Sequence, residues 1–170
     1  MNIEDVITKW LIEEAFSVSK LEVPIGVKIL WGLNVAVMGP AGVKFSIIKP
    51  QDKQDRVILV LGTVISPEHK SELDRLKPTE RLRVIHSIIS KALMTCPECK
   101  IAVQPDIVNP ASIVINLEIF DDEILKHGKP FFTKTITKLL NTYFTIVSGF
   151  NEWFPVLPPQ YRERGLETFM

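Results

Sequence analysis

The sequence carries no surplus of either charge. Its 170 residues include 20 Lys and Arg against 20 Asp and Glu, which gives a formal net charge of zero. Proteins that bind nucleic acid gain much of their affinity by neutralising phosphates, and so they usually carry a basic excess. The balance here argues against that class, and we predict no nucleic-acid partner.

Long apolar runs are also missing. The longest, Val57–Ile65, has roughly half of the ~20 residues that a helix needs to cross a bilayer. Near the N-terminus, acidic side chains interrupt any stretch that could serve as the apolar core of a signal peptide; these are Glu4, Asp5, Glu13 and Glu14. We therefore expect a cytoplasmic protein with no membrane partner.

Cysteine and histidine are scarce, with two and three residues respectively. Cys96 and Cys99 form a C-x-x-C motif at the predicted end of a helix, where the helix dipole and the neighbouring Glu98 both disfavour a thiolate. A zinc site would need two further ligands, and no histidine lies at ligand spacing. The two cysteines are a candidate redox or disulfide pair, with a structural loop as the leading interpretation. We predict no catalytic residue, metal or cofactor.

What the chain does contain is a clear alternation of helical and strand patterns. Between residues 26 and 66, three β-branched runs are separated by turn signals, which is typical of an antiparallel meander. Ser66-Pro67 and Pro78 are typical helix starts, and two further strand patterns surround Asn109-Pro110. The order predicts an α+β fold, α-β-β-β-α-β-β-α, with a five-stranded antiparallel sheet and helices packed on one face. Residues 17–23 are interpreted either as a connector or as the first part of a strand.

The domain boundary follows from the same pattern. At this length we expect one domain, residues 1–154. Residues 155–170 begin with three prolines in five positions and continue with polar and charged residues. They are predicted to form a Pro-rich C-terminal tail.

The predicted helix from Pro130 to Phe154 has the most regular pattern in the chain. Apolar residues recur at alternating spacings of four and three, as in a heptad seam. Either this seam packs on the sheet of its own chain or it faces a second subunit. The candidate interface residues are Phe132, Ile136, Leu139, Tyr143, Ile146, Phe150 and Trp153.

This order of elements resembles the secretion-chaperone-like fold. The type III secretion chaperones have that fold, as do several uncharacterised bacterial and archaeal families. The resemblance covers residues 1–154 and implies a homodimer that binds extended segments of other proteins without catalysis. The richness in Ile, Val, Lys and Glu, with few Gln, is typical of archaeal proteins.

The mean hydropathy of +0.17 is high for a soluble domain and indicates apolar surface kept for a partner. We therefore expect a non-enzymatic protein-binding or chaperone-like module that forms a homodimer and binds a segment of another protein. One alternative is a small thiol oxidoreductase built on Cys96, Cys99 and His86. Another is a small-ligand binder with a pocket between the long helix and the sheet.

Overall fold

The structure is a computed structural model that describes residues 2–37, 39 and 42–155. Within these residues the chain forms four helices and six strands. The helices are α1 (Ile3–Glu13), α2 (Pro67–Arg75), α3 (Pro78–Thr95) and α4 (Asp121–Trp153). The strands are β1 (Ser17–Lys20), β2 (Ile29–Ala36), β3 (Lys44–Pro50), β4 (Arg56–Val64), β5 (Lys100–Pro105) and β6 (Pro110–Phe120).

The strands form one antiparallel sheet in the order β1-β2-β3-β4-β6-β5. The predicted α+β class and antiparallel sheet are confirmed, but the predicted number of five strands is wrong. The additional strand is β1, four residues of sequence Ser-Val-Ser-Lys that pair with β2 at the edge of the sheet. Because β1 is short and mostly polar, it has too little apolar alternation to identify a strand from sequence.

One face of the sheet supports the hydrophobic core. In β4 the side chains of Val57, Leu59 and Leu61 are buried, and those that alternate with them are not. The same alternation runs along β6, and α4 packs on both strands while α3 packs against α4. The helical face and the sheet therefore share a single core.

The other face of the sheet is largely uncovered by the described part of the chain, and we call it the open face. Its side chains are half-buried or exposed. Its members include Ser17, Ser19, Asn34, Ala36, Lys44, Ser46, Ile48, Arg56, Ile58, Val60, Gly62, Val64, Lys100, Ser112, Val114, Asn116 and Glu118.

Gly128 divides α4 into two helical segments. Its φ of 69° lies in the left-handed region, which glycine adopts at little cost. Pro130 follows and opens the longer segment, a position where a missing backbone N–H costs little. This agrees with the helix start predicted at Pro130, and the acidic stretch before it is itself a short helical segment.

The prediction of a Pro-rich tail at 155–170 falls, apart from Pro155, outside the described residues. In the part of the chain that is described, no helix combines the length and the apolar character needed to span a membrane.

Candidate binding surface

The half of the open face that lies next to the β3–β4 connection is apolar. Ile48 and Ile58 are cross-strand partners there, and both are half-buried. Leu21 folds onto the same area, since a Cβ built on Gly32 would lie 2.8 Å from Leu21 Cδ2. The backbone N–H of Leu21 donates to Gly32 O at 2.9 Å and holds it in place. Aliphatic surface thus continues from the sheet into the connection between β1 and β2.

This connection, residues 21–28, forms an apolar loop together with Ile29 and Leu30, the first two residues of β2, and hydrogen bonds hold its backbone in place. Its tip is a turn in which Val27 N–H donates to the carbonyl of Pro24 at 3.2 Å. Its base is tied to the β3–β4 connection, where Gln51 N–H donates to Lys28 O at 3.1 Å. Ile25 at the tip is fully exposed, and three further aliphatic side chains are between 42% and 50% exposed; these are Val23, Val27 and Leu30. Apolar side chains in an ordered loop that face water are typical of a contact surface.

The other half of the open face is polar and concave. It holds a cavity of about 600 Å³ that spans the sheet from β1 to β4. Two neighbouring rows of residues, paired from strand to strand, line this cavity. Their side chains carry hydroxyl, amide or amine groups or are small and apolar. One row is Ser19, Asn34, Ser46 and Val60; the other is Ser17, Ala36 and Lys44, and Gly62 of β4 lines the cavity beside them.

Glu118 is the centre of an ion cluster at the edge of the open face. Lys100 Nζ lies 2.8 Å from one carboxylate oxygen and Arg56 Nη1 lies 2.9 Å from the other, with Lys53 at 3.6 Å. The hydrogen bonds from Lys100 and Arg56 lower the pKa of Glu118 to about 2. Arg56 also lies over the Phe120 ring, 4.4 Å from its centroid. The cluster joins β4, β5 and β6, and both carboxylate oxygens of Glu118 are paired with cations.

This cluster predicts how stability depends on pH. The pKa of Glu118 is lower in the folded chain than its ordinary value of 4.5, so its contribution to stability is complete above pH 4.5 and is lost as pH falls towards 2. Glu118→Gln should therefore cost about 1 kcal/mol at pH 7, because these ion pairs face solvent, and almost nothing at pH 2. Urea denaturation at pH 7, 4 and 2 measures the difference. Asp52→Asn, at an exposed acid of the β3–β4 connection, is the control and should show no such convergence.

Cys96 and Cys99 are joined in a disulfide, with their Cα atoms 5.3 Å apart. Both are buried, and Cys99 Sγ lies 4.0 Å from Thr142 Oγ1 on α4. Cys96 is the C-cap of α3, as the sequence predicts. The side chain of Lys138 binds Glu98 at 2.8 Å and lowers the pKa of that carboxyl group. The Cys96–Cys99 disulfide links the end of α3 to the start of β5. A redox role for this pair stays a prediction.

His86 does not approach the disulfide. It is exposed on α3, ten positions before Cys96, which corresponds to about 15 Å along the helix axis. The alternative hypothesis of a thiol oxidoreductase places the two groups in one site, and the structure does not bring them together.

The predicted heptad seam of α4 lies mostly inside the chain. Its buried members are Phe132, Ile136, Leu139, Ile146 and Phe150. Tyr143 is half-buried, and Trp153 is exposed near the end of the helix. The seam therefore packs on the sheet of its own chain, the first of the two interpretations given above. The exposed aromatic on the central part of this helix is Phe144.

A small cavity of about 210 Å³ lies between α4 and the end of β4. His69 borders it, stacked on Phe150 with ring centroids 5.6 Å apart. His69 Nε2 lies 3.2 Å from Phe154 O, so in the neutral ring this nitrogen carries the hydrogen and Nδ1 accepts from the Ser66 hydroxyl at 3.1 Å. Both ring nitrogens are satisfied, and they tie the end of α4 to the start of α2. At this size the cavity is below the usual range for ligand pockets, about 300–1,000 Å³.

Among the described residues, no three His, Cys, Asp or Glu side chains lie together in a group that could hold a metal ion.

A family model described as uncharacterized conserved protein (DUF2299) matches residues 3–150, nearly all of the described domain. The chain belongs to the DUF2299 family. A crystal structure of an uncharacterized protein from Methanothermobacter thermautotrophicus has a similar fold, with a TM-score of 0.75. The two chains are 22% identical, and the match covers 89% of this chain and 98% of that one. The search among curated proteins found no match.

At this identity, the likeness to the Methanothermobacter protein shows the fold alone. That neighbour is an archaeal protein, and the archaeal character expected of the present chain from its composition stays a prediction. The DUF2299 match and this neighbour give no support to the predicted resemblance to secretion chaperones.

Proposed function

We propose that this DUF2299 protein is a non-enzymatic, cytoplasmic protein-binding module with a chaperone-like role. It holds an apolar segment of another protein against the apolar loop and the adjoining aliphatic half of the open face. The observation that carries the proposal is the row of exposed aliphatic side chains in a hydrogen-bonded loop, with Ile25 fully exposed at its tip. The predicted homodimer belongs to the same proposal, with a second copy as an alternative occupant of this surface.

The energetics of this surface favour a moderate affinity. Complete burial of one Val, Leu or Ile side chain contributes about 1.5–3 kcal/mol. Four side chains in the loop that are half or fully exposed therefore offer several kcal/mol, before the cost of ordering the bound segment. That is enough for reversible binding of an apolar segment and too little for a permanent complex.

The composition of β4 supports a partner on the open face. Its sequence is apolar on both faces, a pattern that indicates a central strand covered on both sides. β4 is indeed flanked by β3 and β6, yet the described residues cover only the face that bears Val57, Leu59 and Leu61. Ile58 and Val60 remain half-buried on the other face. A bound partner would complete the cover that the sequence pattern predicts.

The electrostatics support a binding module rather than an enzyme. Each pKa shift found among the described residues favours the charged form of a group that is paired with an opposite charge. Asp55, Glu98 and Glu118 have lowered pKa values, and Arg56 and Lys129 have raised ones. Catalytic acids and bases are usually shifted towards neutrality instead, by burial or by like charges.

The test is binding of a permanently unfolded client, reduced and carboxymethylated lactalbumin, followed by fluorescence anisotropy. The full chain should bind it with a Kd in the micromolar range, about 8 kcal/mol. The double variant Ile25→Asp with Val27→Asp should weaken binding by about tenfold or more, since it puts two charges into the apolar contact.

Val64→Asp is the matched control, because Val64 is an exposed aliphatic residue at the opposite end of β4. It should leave the client affinity unchanged. Equal weakening by both variants, or no client binding by the native chain, would contradict the proposal. Light scattering on the same samples separates client binding from occupation of the loop by a second copy.

A further inference from the structure

We propose that the polar half of the open face is a binding site for a small phosphorylated polyol, the class to which sugar phosphates belong. The site is the cavity of about 600 Å³ that reaches from β1 to β4, a volume within the usual range for metabolite pockets. It uses different residues from the apolar loop, so the two proposals stand or fall separately.

The lining is rich in hydrogen-bond donors that have no partner in the described chain. Ser46 Oγ donates to Asn34 Oδ1 at 3.2 Å, which leaves both hydrogens of Asn34 Nδ2 unpaired. The hydroxyl groups of Ser17 and Ser19 are also without a described partner, as is the Nζ of Lys44. Within one cavity there are thus three kinds of free donor: hydroxyl, amide and ammonium.

Among the residues that the structure describes, no acidic side chain lines the cavity. Elsewhere on this face the cations are neutralised, as Arg56 and Lys100 are by Glu118. Lys44 is different, because no acid of the described ranges is paired with it. An unpaired ammonium with several neutral donors around it favours an anion, and lysine binds phosphate as a point charge. The hydroxyl and amide groups then suit the alcohol groups of a polyol.

The floor of the cavity leaves room for a ligand. Gly62 lies on β4 beside the two polar rows, and a Cβ built on it would meet nothing nearer than Val114 Cγ2 at 4.0 Å. Ala36 and Val60, two of the other floor residues, are also small or compact. A larger side chain at Gly62 would therefore project from the floor without a clash, which provides a variant that obstructs the site and keeps the fold.

The experiment is isothermal titration of the full chain with three probes: glucose 6-phosphate, inorganic phosphate and glucose. Glucose 6-phosphate should bind with a Kd below about 1 mM, and at least about tenfold more tightly than either of the other two. Lys44→Gln should weaken its binding by about tenfold or more, because the charged contact is lost. Gly62→Val should weaken binding by about tenfold or more, because its side chain obstructs the floor of the cavity. It should leave the thermal unfolding temperature unchanged or raised, since β-branched residues suit strands.

Lys20→Gln is the matched control. Lys20 lies on the same edge strand as Ser17 and Ser19, but it pairs with Leu33 and faces the helical side. Its replacement should leave the affinity unchanged. The proposal is overturned if no probe binds, if inorganic phosphate binds as tightly as glucose 6-phosphate, or if Lys20→Gln weakens binding as much as Lys44→Gln does.

Discussion

Phe132→Ala should lower the free energy of unfolding by about 3–5 kcal/mol, as is usual when a fully buried aromatic side chain is removed. Phe132 is 1% exposed and lies on the face of α4 that meets the core. Its ring packs near Trp10 of α1, with the centroids 6.1 Å apart. The substitution would leave a cavity between α1 and α4 that the surrounding core residues cannot fill. Urea denaturation at constant protein concentration measures the change.

Phe144→Ala provides the comparison within the same helix. Phe144 is 45% exposed, so its removal should change the free energy of unfolding by less than about 1 kcal/mol. The pair also tests the position of the heptad seam. If Phe132→Ala changed the oligomeric state and left the stability of the single chain unaltered, the seam would belong to a subunit interface instead.

Asp121→Ala should be the second most damaging substitution, at about 3 kcal/mol. Lys49 is 5% exposed and forms an ion pair with Asp121 Oδ2. Removing the carboxylate would leave a buried ammonium group without its counter-charge, which costs more than the pair itself contributes. Asp121 also begins α4, and its backbone N–H donates to Asp55 O at 2.9 Å. This hydrogen bond holds the helix start against the β3–β4 connection, and the ion pair holds it against β3.

Two further variants separate the charge effect from the helix start. Lys49→Met in combination with Asp121→Ala should recover most of the lost stability, because the buried charge is removed with its partner. Glu123→Ala alters an exposed acid in the same first turn of α4 and should cost less than about 1 kcal/mol. Thermal and urea denaturation of the four proteins measure these differences. A double variant as unstable as Asp121→Ala alone would show that the ion pair is not the cause.

The sequence was sufficient to predict those elements whose pattern repeats over several turns or alternations. The α+β class, the C-cap at Cys96 and the helix start at Pro130 follow from periodicity and from proline and serine signals. The edge strand β1 was missed as a definite strand because four residues with one apolar side chain give no measurable period. The choice between core packing and a subunit interface for the α4 seam was also open, since both use the same spacing.

The candidate surfaces were harder to predict because they depend on which side of the sheet is left uncovered. Exposure of Ile25 could have been suspected from the turn signals Pro24 and Gly26 around it, which place an aliphatic residue at a loop tip. The polar cavity has no comparable signal. Ser19, Asn34 and Ser46 are scattered along the chain and meet only through strand register, and register is not visible in a single sequence.

Because the helix is broken at Gly128, the directions of the side chains in the two segments of α4 do not depend on each other. In an unbroken helix every residue is turned by about 100° from the one before, so the direction of an early side chain fixes the direction of all later ones. Here the segment before Gly128 can aim Asp121 and Ile124 at their partners, and the segment after it can aim Phe132 at the core independently. Insertion or deletion of one residue at this glycine would thus alter only the junction between the two segments. The side chains of the long segment could keep their present direction towards the core.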